Sequence, residues 1–167
     1  MCRLVFVGVT GGSGDPHGPF RAAGFTTRLA SNPSCAALPA TSVRIEVTTG
    51  TCSCDFYCGD TRYVSVDPEA ARRRYERKGW SKAKIERALE SRQKRHARTR
   101  PIDLGAQFAA AVETLVKGGA HVTLLAHDFD GLFIEPFEIV GTTQIPFAHY
   151  VARGNYFPED TLVSLLT

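Results

Sequence analysis

Cys52, Cys54 and Cys58 are the densest group of potential metal ligands in the chain. Three thiolates and a histidine would complete a tetrahedral zinc site. Their spacing, however, is not that of the paired Cys-x2-Cys knuckles. The same three positions, with Phe56, fall on one face of a segment of period two, where an unpaired cysteine behaves as a small hydrophobe. The expectation is therefore of buried free thiols on the inner face of a hairpin, with no metal and no cofactor. The five histidines, His17, His96, His121, His127 and His149, show no metal-binding pattern. His121 and His127 share a strand segment but lie about 20 Å apart along it. Serine and histidine occur in no nucleophile-elbow context, so no catalytic residue is assigned.

The second chemistry-bearing feature is charge. The net charge of +3 conceals a split: residues 70–100 hold 13 of the 20 Lys and Arg but only three acids, Glu76, Glu86 and Glu90. That segment is +10 and the remainder −7. On a helix of 100° per residue, Lys84, Arg87, Lys94, Arg95 and Arg98 occupy one arc, while Ile85 and Leu89 lie away from it. From Lys84 to Arg98 the stripe would extend about 21 Å, enough to follow several phosphates. A charge run can also be no more than a solvated face, but three acids among thirteen bases exceed what solubility requires.

Three short segments resemble known motifs. Gly8 to Gly14 after an apolar strand resembles the phosphate-binding turn of P-loop kinases. Asp15-Pro16-His17 follows where Lys-Ser/Thr should open a helix, and the first lysine of the chain is Lys78. Cys2 after Met1 is similar to the start of amidotransferases that use an N-terminal cysteine as nucleophile, although 167 residues is short for that family. Val122 to Gly131, an apolar strand ending in Asp128-Phe-Asp130-Gly131, resembles the first motif of haloacid-dehalogenase-type phosphatases. That resemblance implies a metal-dependent hydrolase using Asp128 and Asp130. It covers about ten residues, Leu132 stands where a hydroxyl residue is usual, and 36 residues follow Gly131. The expectation is a turn whose carboxylates are structural.

The elements that would position these groups are legible in outline. Leu4 to Val9 is continuously apolar, as suits a strand covered on both faces. The run is too short for a signal peptide or a bilayer span. Thr10 to Pro19 is rich in glycine and proline and reads as a loop. Phe25 to Ala30 is a weak strand candidate. Ser42 to Thr48 alternates cleanly, and a turn at Gly50 would make 42–58 a β-hairpin. Asp67-Pro68-Glu69 starts a helix that Gly79 ends; Ser81 caps a second, with Trp80 stapled to Ile85. Asp103 caps a third over 103–117, whose Leu104, Phe108, Val112 and Leu115 face the core. Strands over 121–127 and 137–140 and a terminal helix opened by Pro158-Glu159-Asp160 complete the pattern.

The order of strands, helices and strands predicts an α+β fold. It has a mixed or antiparallel sheet, a β-hairpin around residues 42–58, a basic helical pair (67–98) and one core-packing helix (103–117). The whole chain, 1–167, is read as a single domain with 67–100 a basic helical segment. Five cysteines and no export signal predict reduced thiols and a cytoplasmic protein without membrane partners. The function expected is non-enzymatic binding of an acidic macromolecule, RNA or DNA backbone foremost, or else an acidic protein, with Lys84, Arg87, Lys94, Arg95 and Arg98 as the partner-binding surface. A small neutralising protein of immunity or antitoxin type, or an adaptor, is the alternative, and the hydrolase using Asp128 and Asp130 the third reading.

Overall fold

The computed structural model describes residues 2–54, 56, 68–96, 103–153 and 155–166, with backbone alone at 68–71, 74 and 91–96. The chain is α+β and divides into two compact units, one of Met1–Cys58 with Asp103–Thr167 and one of Gly59–Ile102.

The first unit is built on a six-stranded mixed sheet. Its strands are β1 (Cys2–Gly11), β2 (Thr26–Leu29), β3 (Val43–Thr48), β4 (Ala120–Phe129), β5 (Gly141–Pro146) and β6 (Thr161–Leu166). They lie in the order β2-β3-β1-β4-β6-β5, and every pairing is antiparallel except that of β5 with β6. The two long strands β1 and β4 pair from Cys2 opposite Phe129 to Gly11 opposite Ala120. Both are apolar at consecutive positions because both faces of the sheet are covered.

On one face Val5, Val7, Ile45, Val47, Val122, Leu124 and Ala126 join the buried side of α4 (Leu104–Lys117). The short helices α1 (Gly18–Ala22) and α5 (Phe147–Ala152) add Phe20 and Tyr150 to the same core. Helix α4 begins as its sequence requires, with the Asp103 carboxylate accepting from Ala106 N, and runs into Gly118-Gly119, where Gly119 has φ +80°. On the other face Leu4, Phe6, Leu125 and Phe129 pack with Cys35 and Leu38 from a 3-10 turn (Pro33–Ala37) and its end. Phe133, Phe137 and Ile139 of the β4–β5 connection close over them.

Four sequence expectations change. The hairpin over 42–58 has its first arm, β3, but the described residues of 49–58 form no return strand. Strand β3 is already paired on both edges, by β1 and β2, so no edge is left for one. The terminal helix at Pro158 is instead β6, which pairs with β4 and β5. Residues 137–140 are irregular and the strand follows them, at Gly141–Pro146. Within Thr10 to Pro19, β1 runs on to Gly11 and α1 begins at Gly18.

The second unit holds two helices, α2 (Pro68–Arg77) and α3 (Lys82–His96). Gly79, at φ +72°, turns the chain between them, and its N–H and that of Trp80 return to the carbonyls of Glu76 and Tyr75. Tyr75 and Ile85 are buried with Trp80, Ala88 and Leu89 around them. No helix among the described residues is long and apolar enough to cross a membrane.

Candidate functional site

Among the described residues of the helical pair, Tyr75 and Ile85 are buried, with Trp80, Ala88 and Leu89 packed against them. Tyr75 and Trp80 stack with ring centroids 4.4 Å apart, and Ile85 seals the pair, which places the two aromatic rings in the packing between helices. Arg73, Arg77, Lys78, Lys82, Lys84 and Arg87 are all exposed. The Lys84 ammonium lies 4.3 Å from the Trp80 ring centroid, so this lysine leans back on the helix junction while its head stays in water. Arg87 Nε donates to the Ala83 carbonyl at 3.2 Å, within the same helix. Arg72 is joined to Glu86 at 2.6 Å, an ion pair that bridges α2 and α3 and takes one of the three acids of the segment. Of the five residues expected to bind a partner, Lys84 and Arg87 share the exposed part of α3. Lys94 and Arg95 lie on its last turns with backbone alone described, and Arg98 lies outside the described residues.

A second constellation sits where β1 and β4 end. Arg3 Nε and Nη2 donate to Asp128 Oδ1 and Oδ2, each at 2.6 Å, and the same guanidinium pairs with Glu159. The three side chains are about nine-tenths buried. On the opposite face of the sheet His127 Nδ1 lies 2.5 Å from Asp160 Oδ1, and the imidazole stacks on Phe137 at 4.0 Å. Asp160 has φ +54°; its N–H donates to Ala126 O and its carbonyl accepts from Val140 N. Asp128 therefore has both oxygens engaged by a cation, as a structural carboxylate would. Asp130 is exposed beyond the end of β4.

No family model, no curated protein and no solved structure matches the chain.

The third constellation is one that the sequence pattern hid. The Sγ atoms of Cys2, Cys52 and Cys54 all lie within 4.8 Å of one another. Cys2 is the first residue of β1; Cys52 and Cys54 follow β3 in a turn laid across the start of β1. Ser53, fully buried between them, fixes that turn. Its N–H donates to Arg3 O at 2.7 Å, its hydroxyl donates to Val47 O at 2.6 Å, and it accepts from Val5 N at 2.9 Å. Arg3 N–H in turn donates to Cys54 Sγ at 3.2 Å. Each of the three thiols is half-buried, whereas Cys35, among Leu4, Phe6 and Leu38, is fully buried. Burial pushes the Cys52 thiol up to about 11 and the Cys35 thiol up to about 12.

The expectation that Cys52 and Cys54 would line a hairpin as buried thiols is thus corrected for these two, and Cys58 lies outside the described residues. Two signals could have found the cluster. Cys2 stands at the start of the strand most certain to be central, and Cys52-Ser53-Cys54 follows the cleanest alternating strand. What joins them is the pairing of β1 with β3, Val5 opposite Val47, a contact between segments about forty residues apart that periodicity does not carry.

Proposed function

We propose that the chain is a binding protein whose basic helical pair docks on an acidic macromolecule, with nucleic-acid phosphates as the target. The observation that carries this reading is that the basic segment is a compact unit of its own, in which Arg73, Arg77, Lys78, Lys82, Lys84 and Arg87 are exposed. A segment of +10 has few acids with which to neutralise itself. Packing of Tyr75 against Trp80 favours backbone contact over base stacking, because neither ring is presented as an open platform. The chemistry is electrostatic: each phosphate contact releases condensed counterions, so affinity falls steeply with salt.

The test is fluorescence anisotropy with labelled single- and double-stranded oligonucleotides of unrelated sequence, read across a salt series. Expected are similar affinities for unrelated sequences of one length and a linear fall of log K with log salt. A chain with no affinity for either nucleic acid at low salt would remove the reading. An acidic protein partner, or the neutralising and adaptor alternatives, would then be sought by the same salt dependence, since a largely apolar interface is insensitive to it.

A further inference from the structure

We propose that Cys2, Cys52 and Cys54 bind one divalent cation of thiolate preference, zinc by its chemistry, at the start of β1. In a tetrahedral site with Zn–S near 2.3 Å the sulfur atoms sit about 3.8 Å apart. The three Sγ atoms are already within 4.8 Å of one another, so side-chain rotation alone can close the difference. Among the described residues this is the one group of three or more Cys, His, Asp or Glu whose donor atoms converge in this way.

The backbone is arranged for it. Ser53 is anchored to Arg3, Val5 and Val47 by three hydrogen bonds, which holds the thiols at 52 and 54 on either side of a fixed point and next to Cys2. The Arg3 N–H directed at Cys54 Sγ is the kind of outer-shell donor that orients a thiolate ligand. The chain also shows what a purely apolar cysteine looks like here: Cys35 is 1% exposed among Leu4, Phe6 and Leu38 and is not one of the converging thiols. The three clustered cysteines are instead half-exposed, which gives an ion a path in. A disulfide would join only two of the three and would draw its sulfurs to about 2.05 Å. On binding, each thiol gives its proton to solvent and the cation takes three thiolates, leaving one tetrahedral position.

The site is tested on the full reduced chain, first with Co2+ as a spectroscopic probe and then with Zn2+. Expected are one cobalt per chain, thiolate-to-cobalt charge-transfer absorption in the near ultraviolet and the visible bands of tetrahedral cobalt, all displaced by Zn2+. Zinc should slow alkylation of Cys2, Cys52 and Cys54 while leaving that of Cys35 unchanged, as read by peptide mass spectrometry. Cys2→Ser and Cys54→Ser should each weaken Co2+ binding by more than about a hundredfold, beyond the roughly 10- to 100-fold that loss of an outer-shell partner costs. Alkylation mapping on the unmodified chain decides the matter if either variant fails to fold. Absence of charge-transfer absorption, a Cys52–Cys54 disulfide in protein prepared without oxygen, zinc protection that does not distinguish these three thiols, or full affinity in folded Cys2→Ser would each overturn the proposal.

Discussion

The guanidinium of Arg3 holds both carboxylate oxygens of Asp128 across the β1–β4 ladder, at 2.6 Å each. A carboxylate so engaged and about nine-tenths buried has its lone pairs directed at a cation of the chain itself. Asp128→Ala would take from the buried Arg3 its two-point carboxylate partner, and breaking a buried pair on one side costs about 3 kcal/mol. Urea unfolding should show that loss. A phosphomonoester hydrolysed with magnesium by the wild-type chain, and not by Asp128→Asn, would contradict the structural role.

Cys35 supplies a pH dependence whose sign can be worked out. Burial raises its thiol from 9.0 to about 12, with the Glu46 carboxylate adding to the effect and Arg44 opposing it. The folded state therefore keeps this thiol protonated where the unfolded state has begun to lose it. Its contribution to stability is complete below about pH 9 and is lost as the pH rises from there toward 12. The slope approaches about 1.4 kcal/mol per pH unit in that window. Unfolding of wild type and Cys35→Ala, compared at pH 8 and pH 10, should show a shallower decline for the variant. Equal declines would mean that the thiol does not titrate in this way.

Tyr150 is fully buried between Phe147 and Phe157, and among the described residues its hydroxyl has no hydrogen-bond partner. A buried unsatisfied hydroxyl costs about 1 to 3 kcal/mol, and replacing it by hydrogen removes the cost without opening a cavity. Tyr150→Phe should leave the chain equally stable or stabilise it by about 1 kcal/mol, read as a rise in melting temperature. Loss of more than about 1 kcal/mol would show that the hydroxyl has a partner after all.

What was legible in the sequence follows from where each signal resides. The strands at Leu4 to Val9 and His121 to His127, the helix capped by Asp103 and the pair broken at Gly79 all rest on local chemistry: apolar runs, a cap, a left-handed glycine. The failures rest on distant partners. Pro158-Glu159-Asp160 has the composition of a helix start, yet Glu159 pairs with Arg3 and Asp160 with His127. Those contacts, with Asp160 at φ +54°, turn the chain into β6. Likewise the alternation of Cys52, Cys54, Phe56 and Cys58 implied a strand, but a strand needs an open edge and β3 had none. The thiol cluster was invisible for a third reason: Cys2 and Cys52 meet only through the register of β1 on β3.

Trp80 tests how the helical pair is held. It stacks on Tyr75 and packs with Ile85, both buried. Truncating a large aromatic at such a point costs about 3 kcal/mol. Trp80→Ala should abolish hydrogen-exchange protection over residues 68–96. Protection unchanged there would assign the stability of these helices to something other than this junction.

Lys84 and Arg87 separate the electrostatic role of the stripe from its structural one. Both are exposed on α3, but the Lys84 ammonium sits over the Trp80 ring, whereas Arg87 Nε donates to the carbonyl of its own helix at Ala83. Lys84→Gln should therefore cost about 0.5 kcal/mol of stability through the lost cation–π contact, and Arg87→Gln close to nothing, as surface changes do. On nucleic acid the two should behave alike. Each neutralisation of a phosphate contact lowers the magnitude of the salt slope by about one unit and weakens binding by a similar factor on every sequence. Replacing Lys84, Arg87, Lys94, Arg95 and Arg98 together by glutamine should leave a folded chain whose salt slope is smaller by up to about five units. A folded five-residue variant with wild-type affinity and slope would assign the stripe to solvation alone.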